Sequence, residues 1–97
     1  MARVKLAARA GADLARLAGF LLQDNPEAAV ATFDVITSAV DVLESHPLIG
    51  RPLETGLREL VISRGKSGYV ALYEFRELED TVFVLAIRHQ REVGYED

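Results

Sequence analysis

The first half of the chain carries apolar residues at helical spacing. One stripe recurs at three- and four-residue intervals and predicts an amphipathic helix over residues 10–23; its members are Leu14, Leu17, Ala18 and Leu21. A second stripe predicts a helix that continues to about residue 45; its members are Ala29, Phe33, Ile36, Val40 and Leu43.

The stretch "DNPEAA" separates the two predicted helices. Asn25 can accept hydrogen bonds from the first turn of the second helix, and Pro26 suits its first position. Because the link is short, the two helices are expected to form an antiparallel hairpin. Pro47 disfavours helical backbone at the residue before it, which ends the second helix by His46.

The second half of the chain changes to β-rich apolar segments. "LRELVIS", "GYVALYEF" and "TVFVLAIRH" are separated by the short polar turns "RGKSG" and "RELED", which predicts an antiparallel meander of three strands. "RVKLA" near the start alternates basic and apolar residues and predicts a further short strand. The order is therefore β-α-α-β-β-β: a single α+β domain over residues 1–97, with the helical hairpin packed on a small antiparallel sheet.

Strand alternation assigns side chains to faces of this sheet. On the middle strand, Tyr69, Ala71, Tyr73 and Phe75 share one face, and Val70, Leu72 and Glu74 share the other. One helical layer covers one face, so the second apolar face is expected to stay partly uncovered. On the last strand, unless a bulge intervenes, Phe83, Leu85, Ile87 and His89 form the bulkier row.

Composition narrows the chemistry. The chain has no cysteine and two histidines, which excludes disulfides and thiolate chemistry and leaves too few ligands for a zinc site, so no metal or cofactor is expected. Charged residues interrupt the apolar N-terminus, so neither a signal peptide nor a membrane span is predicted, and we expect a cytoplasmic protein. The net charge of −4 argues against broad, non-specific binding to DNA or RNA.

Local groups of basic residues remain possible contacts for a macromolecule: Arg58, Arg64, Lys66, Arg88 and Arg91. For Arg58, at the start of a predicted strand, the alternative is an ion pair with a helix carboxylate. For His89, the alternative to acid–base chemistry is a packed or hydrogen-bonded end of a strand.

The stretches "HPLIGRPLETGLRELVI", "SGYVALYEF" and "VFVLAIRHQREVGY", in this order, resemble the RelE/ParE superfamily of type II toxin–antitoxin toxins. The resemblance covers nearly the whole chain. It implies one of two activities: RelE-like members cut messenger RNA on the ribosome without a metal, and ParE-like members poison DNA gyrase. It also implies an antitoxin that wraps the toxin and whose other end binds promoter DNA.

The residues that match a nuclease are few. Metal-free RNA cleavage needs several cations and an acid–base group held together. RelE-like nucleases place an arginine after "SGY" and lysines on the preceding strand, where this chain has Val70, Val61 and Ser63. The resemblance therefore favours the ParE-like branch, with no catalytic residue and with inhibition of gyrase by binding. Two alternatives stay open: a nuclease using Arg88, His89, Arg91 and Tyr95, and a degenerate toxin that only binds antitoxin.

The same resemblance implies how a ParD-like antitoxin binds. Its helix is expected to lie in a groove beside the hairpin, toward Leu14, Leu17 and Leu21, and an extended segment is expected to cross the open sheet face at Val70 and Leu72. Gyrase is expected to meet the five basic residues named above. Promoter DNA enters only through the antitoxin, and neither a membrane nor a small-molecule substrate is expected.

Overall fold

The computed structural model describes residues 1–62 and 68–89. It confirms the predicted order of elements and adds a two-residue strand, β2, in the loop between helices and sheet. The elements are β1 (Arg3–Leu6), α1 (Ala8–Asp24), α2 (Pro26–Val42), β2 (Arg51–Pro52), β3 (Arg58–Val61), β4 (Tyr69–Arg76), a 3₁₀ turn (Glu77–Glu79) and β5 (Thr81–His89).

The five strands form one sheet in the order β1-β5-β4-β3-β2. β3, β4 and β5 are antiparallel neighbours, as the meander predicted. β1 instead pairs in parallel with β5, from Arg3 opposite Thr81 to Leu6 opposite Val84. The sheet is therefore mixed rather than purely antiparallel, and the helical hairpin lies within the long crossover that parallel pairing requires.

The hairpin is set by local signals. The Asn25 side-chain Oδ1 accepts hydrogen bonds from the backbone N–H groups of Glu27, at 3.0 Å, and Ala28, at 3.2 Å, which caps α2 as predicted. α2 ends at Val42, earlier than residue 45, because its end tightens into a 3₁₀-type bond from the Leu43 N–H to the Val40 carbonyl, at 3.0 Å.

A bulge in β5 changes the predicted faces of that strand. Leu72 pairs with Ala86 but Tyr73 pairs with Val84, so Leu85 is the extra residue. The bulge places Val82 and Val84 in the core on the same side as Ile87. The continuous row of Phe83, Leu85 and Ile87 expected from simple alternation was therefore wrong.

The core lies between the hairpin and one sheet face. Ile36 of α2 and Leu43, directly after that helix, are almost completely buried there, and each large side chain of this kind contributes about 1.5–3 kcal/mol. The other members of the cluster are Ala2, Ala10, Leu17, Val40, Tyr69, Ala71, Tyr73, Val82, Val84 and Ile87. Neither helix of the described chain has the length and hydropathy needed to cross a membrane.

Candidate macromolecular interface

The end of β5 is fastened to α1 by a buried ion pair. One carboxylate oxygen of Asp13, Oδ1, lies 2.6 Å from the Arg88 Nη1, and the other accepts the Ile87 backbone N–H at 2.9 Å. The two charged side chains are only 8% and 12% exposed, respectively. The pairing of β1 with β5 stops at Val84. Beyond that point, the Asp13 carboxylate accepts the backbone N–H that β1 no longer reaches. Arg88, a predicted target contact, is thus held in an internal contact.

Arg58 is also held internally, but not in the expected way. Its Nη1 donates to the backbone carbonyls of Leu48, at 3.1 Å, and Gly50, at 2.7 Å. Within the described part of the chain, Arg58 forms no ion pair with a helix carboxylate. Arg58 therefore fastens β3 to the loop that leads from α2 to the sheet.

Tyr73 fixes the same loop from below. Its fully buried side chain donates its hydroxyl hydrogen to the Pro47 carbonyl and accepts the Gly50 N–H, both at 2.8 Å. Burial raises the pKa of Tyr73, although the Gly50 N–H and the Arg58 charge oppose the shift. The hydroxyl therefore stays protonated at neutral pH and acts structurally.

The crossing loop, residues 46–50, turns its backbone polar groups inward and its side chains outward. Leu48 and Ile49 are 54% and 55% exposed. They flank, with Pro47 and Phe75, an open depression of about 360 Å³. Two large apolar side chains are thus displayed from a backbone that four hydrogen bonds hold in place.

On the described strands, valines rather than cations stand beside the predicted nuclease residue Arg88. Val70 lies directly opposite Arg88 on β4, and Val61 lies opposite Val70 on β3. The His89 ring packs edge-on against Tyr69, with 5.2 Å between ring centroids. Ser63, Arg64, Lys66, Arg91 and Tyr95 lie outside the described residues. Within residues 1–62 and 68–89, no three metal-ligating side chains lie together.

The predicted antitoxin contacts lie in two places. Leu14, Leu17 and Leu21 line the seam between α1 and α2, where Leu17 is buried and the other two are half-buried. Val70 and Leu72 lie on the sheet face away from the core, half-buried and buried respectively. Although Leu17 is buried, the rim of the hairpin seam exposes three further apolar side chains, those of Leu22, Val30 and Phe33. The seam therefore offers accessible apolar surface to a partner.

Sequence reasoning missed the two residues that organise these contacts, Asp13 and Tyr73. A signal for Asp13 was present: it stands on the apolar side of α1, three residues after Ala10 and four before Leu17. An acidic residue at such a position is rarely buried unless it is paired. No comparable local signal identifies the bonds of Tyr73, because its partners are 23 and 26 residues away.

Comparisons with known proteins agree with this architecture. A family model described as the ParE toxin of the type II toxin–antitoxin system parDE matches residues 4–94. Toxin RelE3 of Caulobacter vibrioides is 39% identical over 92 residues, covering 95% of this chain and 98% of that protein. Toxin RelE1 of the same organism is 35% identical over 86 residues, covering 89% and 90%.

Two solved structures share the fold. A chain of the chromosomal ParDE system from P. aeruginosa superposes with a TM-score of 0.77 at 25% identity, covering 92% of this chain and 96% of that one. A chain of the RelBE2 toxin–antitoxin complex from Mycobacterium tuberculosis superposes with a TM-score of 0.63 at 28% identity, covering 92% and 98%. This protein belongs to the ParE toxin family, within the RelE/ParE superfamily of type II toxin–antitoxin toxins.

Proposed function

We propose that this toxin acts as ParE-like proteins do: it inhibits DNA gyrase by binding, which arrests replication and growth, and a cognate ParD-like antitoxin neutralises it. The observation that carries the proposal concerns the described strands beside the end of β5, which present valines there. Val70 and Val61 stand on the neighbouring strands where a ribonuclease of this superfamily would need positive charge.

The chemistry of RNA cleavage makes these valines informative. A phosphorane intermediate carries negative charge that fixed cations must stabilise. Arg88 is the cation of the described part of β5, and its charge is balanced by Asp13 at 2.6 Å. Freeing Arg88 for a phosphate would leave a buried carboxylate unpaired, which costs several kcal/mol.

The internal contacts of Arg58 and Arg88 change which basic residues we propose as gyrase contacts. Arg58 and Arg88 are committed to the loop carbonyls and to Asp13. We therefore place the gyrase contacts mainly on Arg64, Lys66 and Arg91 among the five basic candidates. An antitoxin partner is supported by the structural neighbours, which are ParDE and RelBE toxin–antitoxin systems.

Gyrase assays test the proposal directly. Purified protein is expected to reduce supercoiling by DNA gyrase and to increase the amount of cleaved DNA trapped with the enzyme. The control is a preparation with Arg64, Lys66 and Arg91 all changed to alanine, which should inhibit less. The proposal is overturned if the wild-type protein stops growth when it is expressed in cells, but the purified protein leaves supercoiling and DNA cleavage unchanged at high concentration.

The second candidate is a RelE-like endonuclease that cuts messenger RNA on the ribosome, and it is favoured by the names of the two curated relatives, both RelE toxins. It would use Arg88, His89, Arg91 and Tyr95. Mapping of RNA ends on translating ribosomes separates the candidates, since cuts within codons appear only for the nuclease. If the protein is a nuclease, the double variant His89→Ala, Tyr95→Phe should no longer arrest growth. If it is a gyrase inhibitor, the same variant should arrest growth nearly as well as the wild type.

A further inference from the structure

The two helices of the hairpin carry charges of opposite sign at the same spacing. Arg9 and Arg16 of α1 are seven residues apart, and so are Asp34 and Asp41 of α2. Seven residues make almost two helical turns, so each pair lies on one side of its helix with about 10 Å between its members. Arg16 and both aspartates are exposed, and Arg9 is half-buried. No lysine, arginine or histidine occurs in residues 26–45, so nothing on α2 itself balances the aspartates.

The hairpin places residues of α1 and α2 at matching heights. The two helices run in opposite directions from Asn25, so residues equally distant from Asn25 in sequence lie level with each other. The crevice along the seam follows this rule, since Leu14 and Ile36, each eleven residues from Asn25, both line it. Heights along the hairpin can therefore be read from sequence distance to Asn25.

We propose that the hairpin binds a second copy of this chain, with the two-fold axis parallel to the helices and along the seam, so that α1 of each copy lies across α2 of the other. Rotation about such an axis leaves heights unchanged. Arg16 and Asp34 are each nine residues from Asn25, and Arg9 and Asp41 are each sixteen. Each arginine of one copy is therefore level with an aspartate of the other, which gives four pairs of opposite charge across the interface.

The same charges disfavour the other two-fold arrangement. With the axis perpendicular to the helices, each helix would face its own copy, and the aspartates of one α2 would face those of the other. Like charges that meet across an interface suppress that arrangement. Arg9 and Arg16 also interact within their own chains, so the pairs across the interface direct the arrangement more than they drive association.

Apolar side chains fit between the rows of charge. Val30 and Phe33 of α2 are 60% and 43% exposed. α1 exposes small residues, including Ala15 and Gly19, and a Cβ added at Gly19 would meet nothing within 4 Å. Phe33 is eight residues from Asn25, so its height falls between Ala15 and Gly19 of the second copy. The large side chains of α2 can thus pack against the small surface of α1.

The size of the hairpin face predicts a weak dimer. Each helix has 17 residues, which makes the hairpin about 25 Å long. Two helices about 10 Å apart present a face about 20 Å wide, or about 500 Å² in each copy. A total of about 1,000 Å² is near the lower limit for a specific interface. The dimer should therefore form at high protein concentration and dissociate on dilution.

A dilution series of the full-length protein tests for this dimer. Sedimentation is expected to show a change from dimer to monomer between about 500 μM and about 5 μM. The backbone NMR signals of Gly19, Phe33 and Asp41 should shift over the same range. A monomer at every concentration, or shifts confined to the sheet, would overturn the inference.

Exchange of the charges tests the arrangement. Asp34→Arg with Asp41→Arg gives a chain with two basic helices, and Arg9→Asp with Arg16→Asp gives a chain with two acidic helices. Alone, each variant should dimerise about tenfold more weakly than the wild type, because like charges would face each other in both contacts. Mixed in equal amounts, the two variants should form a heterodimer about as stable as the wild-type dimer, since each contact again joins a basic helix to an acidic one.

A matched control separates this pattern from net charge. Glu54→Lys with Glu77→Lys changes the net charge as much as Asp34→Arg with Asp41→Arg does, at two exposed positions outside the hairpin. It should leave dimerisation unchanged. Thermal melting shows whether each variant is folded, and if one is not, the dilution series of the wild type still decides whether the hairpin is the contact.

Two results would contradict the charge pairing: a mixture of the exchanged variants that stays monomeric, or a control variant that weakens the dimer as much as the charge exchange does. The inference does not depend on the target of the toxin. A dimer with this behaviour would stand even if the protein left gyrase unaffected, and inhibition of gyrase would stand if the protein proved monomeric.

Discussion

The crossing loop and the helical hairpin are both fastened to the sheet, but from opposite directions. The loop is held by side chains that rise from the strands, Tyr73 and Arg58, which bind its backbone. The hairpin instead sends Asp13 down to bind the backbone of β5. The conformation of the loop therefore depends on hydrogen bonds to residues distant in sequence. The turn of the hairpin depends on local hydrogen bonds, and Asp13 attaches the hairpin to the sheet.

The two regions differ in the sequence separation of the residues that fix their conformation. The hairpin bonds are local: Asn25 caps the helix that starts at the next residue. The loop bonds span 8 to 26 residues and exist only once β3 and β4 are in place. Changes at the attachment points should therefore cost more than changes inside the hairpin.

The largest expected effect is at the hairpin's attachment. Asp13→Ala leaves the Arg88 guanidinium without its carboxylate and the Ile87 N–H without its acceptor, and is expected to cost about 3 kcal/mol of unfolding free energy. Asp13→Asn keeps an oxygen for the Ile87 N–H and should cost less. Urea denaturation of the three proteins measures both losses, and equal stability of Asp13→Ala and wild type would contradict the attachment.

A matched pair of glycine substitutions tests the loop against the hairpin. A Cβ on Gly50 would lie 2.6 Å from the Tyr73 Cε1, so Gly50→Ala is expected to cost about 2 kcal/mol. A Cβ on Gly19 of α1 meets nothing, so Gly19→Ala should stabilise by about 1 kcal/mol through helix propensity. Opposite signs in chemical denaturation are the expected result; the same sign for both would remove the contrast between the two regions.

Tyr73→Phe should cost about 1–2 kcal/mol, because the Pro47 carbonyl and the Gly50 N–H lose their shared partner. The effect also depends on pH. The folded pKa of Tyr73 is raised by burial above its unfolded value of about 10. Its contribution is therefore complete below pH 10 and is lost as the pH rises through the folded pKa.

Alkaline denaturation measures this contribution. Wild type should lose stability progressively above about pH 10. Tyr73→Phe, which has no hydroxyl to ionise there, should lose less over the same range. Identical pH profiles for the two proteins would show that the Tyr73 hydroxyl is not protected by the loop.

The smallest expected effect lies within the hairpin. Asn25→Ala removes the acceptor for the Glu27 and Ala28 N–H groups and should cost about 1 kcal/mol, while Asn25→Asp should largely keep the cap. Far-ultraviolet circular dichroism with thermal melting measures the difference. A loss larger than that of Gly50→Ala would mean that local capping, rather than long-range attachment, dominates stability.

The parts of the fold that sequence predicted are those with local causes. The apolar stripes, the Asn25–Pro26 break and the polar turns gave the two helices, the three antiparallel strands and their order. The bulge at Leu85 was not predicted, because a continuous β-branched and apolar run gives the same pattern with or without an extra residue.

The site was less predictable because its contacts join distant residues. Arg58 and Arg88 were predicted as contacts for a macromolecular target, but their partners in the fold, the loop carbonyls and Asp13, lie up to 75 residues away. Neither periodicity nor spacing identifies such partners.

The parallel pairing of β1 with β5 has a consequence for synthesis of the chain. The first strand waits for a partner that begins at Thr81, 78 positions after Arg3. Asp13 likewise waits for Ile87 and Arg88. A ribosome makes the N-terminal strand and hairpin first, yet neither can be anchored until the last strand has emerged. A prematurely terminated chain that lacks β5 therefore lacks the strand to which its own first strand and hairpin attach, and it is not expected to assemble this fold.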